Sequence, residues 1–233
     1  VLGSAGIENA VGGNLGIAAL DLPTLSNEGI YVLEMSSYQL ELTPRLACRA
    51  ACLLNISADH LDRHGGMAGY IAAKKSIFKN LPNNGIAVVG IDDTASRQIA
   101  DDLIAAGKSV RTVTATTAQD SNSRQSQDQL FRKHDQLYWQ HDTQTEYLLD
   151  LAEAEALPGP HNAQNAAAVA AIASDLGLSM DQIAAGLKSF AGLAHRQERV
   201  AVINQVAYIN DSKATNADAA ARALACYAPI YWI

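Results

Sequence analysis

Two groups that could bind a metal ion follow short apolar runs that we predict to be strands. Glu34 directly follows the run at residues 30–33, and His60 lies just beyond the run at residues 51–56, with two aspartates beside it. Open α/β sheets bind ligands at the carboxyl ends of their strands. A carboxylate there suits Mg²⁺, which prefers oxygen ligands and keeps several waters. A surface acid or a structural histidine would look the same alone, but the two together favour a site.

Lys74 lies on the apolar side of a helix that we predict over residues 66–80. Its spacing places it on one face with Tyr70, Ile71 and Phe78. An unpaired ammonium on such a face is costly to desolvate, so it needs compensation. An ion pair with a nearby carboxylate would provide it; reaction with CO₂ to a carbamate, able to bind a second Mg²⁺, is the alternative. Periodicity alone favours the ion pair.

Polar side chains also gather at the start of a later helix and in two segments beyond it. Asn162 and Asn165 open an alanine-rich helix one turn apart, where their amides could bond an adenine edge, although helix capping explains Asn162 equally well. Arg196 lies near the domain boundary that we place at Gly192, where a guanidinium could bind phosphate through two nitrogens. Residues 210–216 (NDSKATN) follow a predicted strand, and six of the seven are polar or ionisable. So dense a polar cluster favours a functional segment.

Alternating strands and helices must position these groups, which is the pattern of an α/β fold with a mostly parallel sheet flanked by helices. The first two strand runs lack strict polar alternation, as in strands buried on both faces of such a sheet. Residues 114–128 are polar and predict a loop or insertion. The predicted strands lie at residues 30–33, 51–56, 86–89 and 110–113, an antiparallel edge pair at 136–140 and 145–149, and a hairpin at 200–203 and 206–209; the predicted helices lie at 66–80, 95–106, 161–176 and 179–190.

The composition limits the classes of function. The 233 residues are 48% hydrophobic and 18% charged, with a net charge of −7, which disfavours binding to nucleic acids through their phosphates. No apolar run approaches the roughly 18 residues that a membrane helix needs, so we predict no membrane partner. Three cysteines without a CxxC pair predict a reducing compartment, the cytoplasm. No GxGxxG follows a predicted strand, which argues against a dinucleotide dehydrogenase.

Seven motifs, in order along nearly the whole chain, resemble those of the Mur ligase family. The last one separates members of that family, because sister Mur ligases and the similar folylpolyglutamate synthetases usually carry a DYAHNP or GAHNP type of sequence there. The chain is therefore similar to the members that add D-glutamate to UDP-N-acetylmuramoyl-L-alanine. The motifs are GGNLG at 12–16, LEMSSYQLE at 33–41, NISADHLDR at 55–63, YIAAK at 70–74, HNAQN at 161–165, GLAHR at 192–196 and NDSKATN at 210–216.

The resemblance implies an ATP-dependent amide ligase. ATP would phosphorylate the carboxylate of the UDP-linked muramoyl-alanine, and the amine of D-glutamate would attack the acyl phosphate through a tetrahedral intermediate. Catalysis would rest on positioning and on cations that neutralise phosphate charge. By matching motifs, the implied Mg²⁺ ligands and catalytic residues are Glu34, His60 and carbamylated Lys74; the ATP contacts are Asn162, Asn165, Arg196 and Asp211; the substrate contacts are Asn14, Lys213 and Thr215.

The resemblance also implies that the chain is a fragment. Full-length members begin with a domain that binds the uridine diphosphate and then carry a GTNGKS or GTNGKT loop, whose backbone N–H groups and lysine hold ATP phosphates; this sequence contains no such loop. By family spacing, residues 1–192 are the central ATP- and magnesium-binding domain, and residues 193–233 begin a Rossmann-like C-terminal domain. Residues 229–233 look like a strand cut at its start. We expect the fragment alone to be inactive and the parent to be a monomer.

Two other functions remain open on the sequence. A sister Mur ligase or a folylpolyglutamate ligase would accept a different substrate, which a panel of amino-acid acceptors would reveal. A non-catalytic nucleotide-binding module belongs to a different class, and calorimetry with MgATP would test for it.

Overall fold

The computed structural model describes residues 1–116, 128–141, 144–215 and 217–233. The strands in these ranges are β1 (Asn9–Gly13), β2 (Ile30–Glu34), β3 (Ala50–Leu53), β4 (Ile86–Gly90), β5 (Ser109–Thr114), β6 (Asp128–Lys133), β7 (Gln136–His141), β8 (Gln144–Asp150), β9 (Glu198–Ile203) and β10 (Val206–Asn210). The helices are α1 (Ser37–Leu42), α2 (Leu61–His64), α3 (Met67–Lys75), α4 (Thr94–Ala105), α5 (Gly159–Asp175), α6 (Met180–Lys188) and α7 (Ala217–Leu224). No helix in these ranges is long and apolar enough to span a membrane.

Six strands form the main sheet, in the order β3-β4-β5-β6-β7-β8. Neighbouring strands from β3 to β6 run parallel, whereas β7 and β8 are antiparallel additions at one edge. The predicted α/β class with a mostly parallel sheet is therefore confirmed, and so is the antiparallel pair at the edge. Strand β6, which the sequence analysis did not predict, joins the two parts.

Strand β4 is buried on both faces because helices cover both sides of the sheet. Ile86 and Val88 contribute to a core shared with α5 and α6, while Ala87 and Val89 contribute to a second core shared with α3 and α4. Successive side chains of a strand point to opposite faces. An unbroken apolar run is thus what a strand between two helical layers requires.

Helix α5 presents an inner face of alanines to the sheet. Alanine has the highest helix propensity, so this composition favours the helix itself. Its single methyl group also lets the helix backbone approach the strands closely, and α5 contacts β4, β5 and β6. The five most deeply buried alanines of this helix are Ala163, Ala166, Ala167, Ala170 and Ala171.

Strand β2 does not lie in the main sheet, which corrects the expectation for residues 30–33. It pairs in parallel with β1 alone in a separate two-stranded sheet. Tyr31 and Val32 are 47% and 43% exposed, so the prediction of burial on both faces is wrong for this strand. The physical reason is that an apolar β-branched run favours a strand in any setting, and here no helical layer covers the strand among the described residues.

Other boundaries also differ from expectation. Helix α3 ends at Lys75 and continues only as a 3-10 turn over Ser76–Phe78, so the helix predicted to residue 80 is shorter. Thr114 ends β5 and Asp128 begins β6, because backbone pairing extends both strands into the segment predicted as a loop; residues 117–127 lie outside the described ranges. Residues 229–233 pair with no strand in the described part of the chain, and Tyr231 is 91% exposed. An apolar run without a neighbouring strand has no partner for its backbone groups.

The predicted hairpin is confirmed as β9 and β10, which pair antiparallel from Val206 opposite Ile203. Asn204 and Gln205 form its turn with φ angles of 51° and 65°, the conformation of a two-residue turn that matches the twist of the strands. Helix α7 follows. The division of the chain at Gly192 and the Rossmann-like character of the second domain stay predictions.

Candidate functional site

The parallel pairing of β1 and β2 brings Asn14 and Glu34 together. The Asn14 backbone N–H donates to the Glu34 carbonyl oxygen at 2.8 Å, and Asn14 Nδ2 donates to Glu34 Oε1 at 3.3 Å. Gly13 lies opposite Glu34 with a φ of 112°, and a Cβ there would lie 2.3 Å from the Glu34 carbonyl oxygen. Only glycine permits this approach. Two residues predicted for the site are thus neighbours, twenty positions apart in sequence.

His60 has the left-handed backbone conformation that non-glycine residues rarely adopt. It precedes α2 with a φ of 50° and a ψ of 34°. Its half-exposed ring lies edge-on against Tyr38 of α1, with 5.2 Å between ring centres, and its Nε2 is 3.4 Å from Asp59 Oδ2. Strained backbone of this kind clusters at functional sites, where the surrounding contacts hold it.

Lys74 is compensated by an aromatic ring. Its Nζ lies 5.4 Å from the centre of the Tyr70 ring, a favourable position for a cation. No carboxylate in the described ranges lies within ion-pair distance of Lys74, so the predicted ion pair is wrong. It is the adjacent Lys75 that pairs, with Asp102 at 2.5 Å. The carbamate remains a prediction.

The metal ligands implied by the motifs do not form a closed cage. In the part of the chain that the structure describes, no three His, Cys, Asp or Glu side chains are close enough to hold a metal ion together. Glu34 is exposed at the carboxyl end of its strand, and of its two carboxylate oxygens only Oε1 takes part in the hydrogen bonds of the described residues. One open carboxylate oxygen fits Mg²⁺, which is commonly bound by one or two carboxylates, waters and substrate phosphates.

Four residues that the sequence motifs did not indicate as functional join α1 to α2: Ser37, Glu41, Arg63 and His64. The His64 side chain is fully buried, its Nδ1 lies 2.9 Å from Glu41 Oε1, and its Nε2 lies 3.0 Å from Ser37 Oγ. Arg63 also pairs with Glu41, at 2.9 Å. The available signal was the spacing of Ser37 and Glu41, which places them one turn apart on α1.

Asn162 and Asn165 bond to each other in the first turns of α5. Asn162 Nδ2 donates to the Pro158 carbonyl oxygen at 2.8 Å, and Asn165 Nδ2 donates to Asn162 Oδ1 at 3.1 Å. Asn162 does not cap the helix, since the N-cap position is Pro158. None of the hydrogen bonds in the described ranges uses Asn165 Oδ1 or its second N–H. That amide keeps one acceptor and one donor for a ligand.

Between these two asparagines, Gln164 attaches α5 to the end of β4, a contact that the sequence analysis did not foresee. Gln164 is only 6% exposed, and its Nε2 donates to Asp92 Oδ2 at 2.7 Å. Asp92 also accepts from Thr114 Oγ1 at 2.5 Å and from the Ala115 N–H at 2.8 Å. The carboxylate therefore fixes the start of α5 at the carboxyl ends of β4 and β5.

Gln197 joins the start of α5 to the C-terminal segment. Its Nε2 lies 2.9 Å from His161 Nε2, its Oε1 accepts from the Tyr227 hydroxyl at 3.4 Å, and its backbone N–H donates to Asp211 Oδ1 at 3.0 Å. Burial lowers the pKa of His161, helped by the positive charge of Arg222 and opposed by Asp211. A neutral His161 accepts a hydrogen bond from the Gln197 amide.

The remaining predicted contacts lie around the same segment. Arg196 is exposed and makes no ion pair within the described ranges, which leaves its guanidinium available for a phosphate. The Lys213 backbone N–H donates to the His195 carbonyl oxygen at 3.0 Å, and Thr215 follows it, both with exposed side chains. Asn216 of the same motif lies outside the described residues. Arg196, Asp211 and Lys213 are thus grouped around residues 195–197.

Solved structures share this fold. The chain is similar to UDP-N-acetylmuramoylalanyl-D-glutamyl-2,6-diaminopimelate–D-alanyl-D-alanyl ligase from Acinetobacter baumannii, with a TM-score of 0.65 and 22% identity, over 97% of this chain and 51% of that one. It is also similar to the UDP-N-acetylmuramate-alanine ligase MurC from Thermotoga maritima, with a TM-score of 0.63 and 17% identity, over 97% and 48% of the two chains. The fold is that of the Mur ligases.

Sequence comparison gives the family. The model of the Mur ligase middle domain matches residues 3–173. The chain is 48% identical to UDP-N-acetylmuramoylalanine–D-glutamate ligase from Paramagnetospirillum magneticum, over the whole chain and 49% of that protein. It is 46% identical to the enzyme of the same name from Caulobacter vibrioides NA1000, over 99% of this chain and 48% of that protein. This chain belongs to the Mur ligase family, and it spans about half the length of the curated relatives that it matches.

Proposed function

We propose that the full-length gene product is an ATP- and Mg²⁺-dependent ligase that joins D-glutamate to UDP-N-acetylmuramoyl-L-alanine through an acyl phosphate, in the synthesis of peptidoglycan precursors for the cell wall. The observation that carries this proposal is the likeness, at 48% identity over the whole chain, to a relative named for that reaction. A Mur ligase of similar fold from Thermotoga maritima is described in complex with ADP, which supports a nucleotide as the second substrate.

We assign Glu34 to one Mg²⁺, and His60 and carbamylated Lys74 to a second. Bound Mg²⁺ would neutralise phosphate charge and so favour phosphoryl transfer. Asn14 supports the assignment of Glu34, because its amide bonds Oε1 and thereby orients Oε2. Asn14 would also contact the muramoyl substrate from the same position.

The start of α5 would contact the adenine. Asn165 supports this assignment because its amide has one donor and one acceptor left, the pair that an adenine edge complements. Asn162 would act mainly by holding Asn165, since the hydrogen bond between them uses its Oδ1. Gln164, whose side chain is buried, would fix both by its hydrogen bond to Asp92.

The segment around residues 195–197 would contact the phosphates and ribose through Arg196 and Asp211, and the substrate and D-glutamate through Lys213 and Thr215. The support is that Arg196 is exposed without an ion-pair partner in the described ranges, and that Lys213 is tied by its backbone to His195. The Gln197 contacts with His161 and Tyr227 would connect this segment to the start of α5.

We further propose that the protein works as a monomer in the cytoplasm, on small molecules and without nucleic-acid or membrane partners. The free thiols Cys48, Cys52 and Cys226 agree with a reducing compartment. The net charge of −7 disfavours nucleic acids. Light scattering of the purified protein would measure its mass in solution.

The acceptor assay tests the reaction. The full-length gene product is incubated with ATP, Mg²⁺ and UDP-N-acetylmuramoyl-L-alanine, and phosphate release is measured with D-glutamate, L-lysine or diaminopimelate. We expect release with D-glutamate alone. Release with another acceptor instead would identify a sister ligase, and tight MgATP binding without release would identify a binding module.

A further inference from the structure

His64, the last residue of α2, is held at both nitrogens of its ring. Both ring nitrogens are bonded to side chains of α1, namely Ser37 at 3.0 Å and Glu41 at 2.9 Å, and the side chain is fully buried. Helix α1 has six residues, too few to be stable without outside contacts. His64 therefore fixes α1 in place from one face.

The order Ser37–His64–Glu41 is the hydrogen-bond order of a hydrolase triad, but the burial argues against that chemistry. Ser37 is 3% exposed, so its hydroxyl cannot meet an acyl substrate. A carboxylate and a hydroxyl on opposite ring nitrogens instead fix the orientation of the imidazole. The arrangement works as a clamp between α1 and α2.

Two aromatic rings extend this clamp to the predicted metal ligands. Tyr38 lies edge-on to both His64, with 5.6 Å between ring centres, and His60, with 5.2 Å. On the other side, the ring of Tyr70 lies 5.5 Å from that of His64 and carries the Lys74 ammonium. The Tyr38 ring thus contacts both His64 and His60, and the Tyr70 ring contacts both His64 and Lys74.

The backbone of His60 is strained and needs contacts that hold it in its conformation. A non-glycine residue with a φ of 50° persists only when its surroundings hold it there, at a cost of about 1–3 kcal/mol. The Tyr38 ring is one of those surroundings, and it is placed by the helix that His64 clamps.

We propose that His64 is a positioning residue, which clamps Ser37 and Glu41 so that Tyr38 holds His60, and Tyr70 holds Lys74, in the arrangement that binds Mg²⁺. The consequence for metal binding rests on the proposed function, whereas the contact between Tyr38 and His60 does not. The two parts can therefore be tested separately.

A series of substitutions separates the two hydrogen bonds. His64→Phe keeps the ring volume and removes both bonds; His64→Asn places an amide near the Nδ1 position and keeps only the Glu41 contact; His64→Gln keeps only the Ser37 contact. His134→Asn is the matched control, because His134 lies exposed in the turn after β6 with a φ of 56°, which asparagine tolerates.

The first measurement is the nuclear Overhauser effect between the rings of His60 and Tyr38 in the full-length gene product, with labelled histidine and tyrosine. We expect it in the wild type and in His134→Asn, weakened in His64→Asn and His64→Gln, and lost in His64→Phe. An undiminished effect in folded His64→Phe would overturn the proposal. If His64→Phe does not fold, Ser37→Ala and Glu41→Gln replace it, with weakening expected and an undiminished effect again decisive against it.

The second measurement is the half-saturating Mg²⁺ concentration in the ligase assay. We expect an increase of about tenfold or more in His64→Phe, the usual effect of removing a residue that orients metal ligands, with an unchanged KM for D-glutamate. Equal increases in both would indicate general loosening and count against positioning. If the wild type shows no ligase activity, the proposed function fails. The nuclear Overhauser effect between Tyr38 and His60 still tests whether His64 positions these two rings.

Discussion

Glu34 depends on one neighbouring side chain for its orientation. Asn14 bonds one carboxylate oxygen, and Gly13 lets the two strands approach closely enough for that bond. The other oxygen is open to a cation. The candidate site at this position therefore depends on three residue types, each for a separate reason.

Substitution of Glu34 by Gln tests the metal assignment. The shape and the Asn14 bond are preserved, but the charge that attracts Mg²⁺ is removed. We expect the half-saturating Mg²⁺ concentration to rise about tenfold or more, equivalent to about 1.4 kcal/mol, with an unchanged melting temperature. The control is Glu28→Gln, an exposed carboxylate away from the site; an equal effect there would show that only overall charge matters.

Substitution of Lys74 by Ala tests the carbamate. We expect the full-length gene product to lose most activity and to recover part of it when acetate supplies a carboxylate near the metal. Lys75→Ala is the matched control, because Lys75 pairs with Asp102 at the surface and should keep its activity. Full activity of Lys74→Ala without acetate, or of Lys74→Arg, which cannot form a carbamate, would contradict the assignment.

At the scale of elements, the start of α5 is fixed by the contact between Gln164 and Asp92. Gly90 leaves room for it, since a Cβ there would lie 2.7 Å from Gln164 Nε2 and 1.9 Å from the Leu54 carbonyl oxygen. The helix and the strand end are thus joined by a polar contact between the buried Gln164 side chain and the exposed Asp92. The asparagines on either side of Gln164 take their positions from it.

Substitution of Gln164 by Leu should loosen this junction. Asp92 is exposed, and its carboxylate loses the hydrogen bond from the buried Gln164 side chain. This loss should lower the free energy of unfolding by about 1 kcal/mol and raise the KM for ATP. Chemical denaturation followed by circular dichroism measures the first, and the ligase assay the second. Gln144→Leu, at an exposed position of β8, should change neither; a stable Gln164→Leu variant with normal KM would contradict the role.

The elements also show which parts of the fold the sequence could predict. Strand β4 was predictable because it is a short unbroken apolar run, and helix α4 was predictable because its apolar residues recur at helical spacing. Strand β1 was not, since Gly12 and Gly13 weaken the strand pattern, and β6 was not, since Arg132 and Lys133 are polar residues at an end of the strand. Local pattern cannot tell a covered strand from an uncovered one, which explains the error at β2.

The candidate site could be predicted only where local motifs indicate it. Glu34 and His60 follow strand-like runs, so the rule of strand carboxyl ends selects them as candidates. The partner of Lys74 was not predictable. The periodicity shows that the ammonium needs a compensating group, but it does not show whether this group is an aromatic ring or a carboxylate. The clamp of His64 joins residues 27 positions apart, and no local pattern indicates such a pair.

At the scale of the whole molecule, His161 and Gln197 connect the main sheet's helical layer with the C-terminal segment. Burial, followed by the charge of Arg222, lowers the pKa of His161 below its ordinary value of 6.5. The unfolded chain then binds more protons than the folded one as the pH falls below that value. The contact of neutral His161 therefore contributes fully to the free energy of unfolding above pH 6.5, and this contribution is lost as the pH falls below that value.

Substitution of His161 by Gln removes the titrating group. We expect the wild type to lose more unfolding free energy than His161→Gln when the pH is lowered from above to below 6.5, the ordinary pKa of a histidine. Denaturation of both proteins across that range measures the difference. His134→Asn, at an exposed turn, should follow the wild type; parallel pH profiles of wild type and His161→Gln would contradict this account.

The alanine face of α5 should tolerate substitutions by small residues better than substitutions by large ones. Exchanges to glycine or serine leave the helix in its place and cost little space, whereas a valine or leucine would lift it from the strands, at about 1–3 kcal/mol for each overpacked position. Since Asn162 and Asn165 lie on the same helix, such a change would displace their side-chain amides as well. Natural variants should therefore carry small residues on this face. Its side chains can become smaller in evolution but not larger.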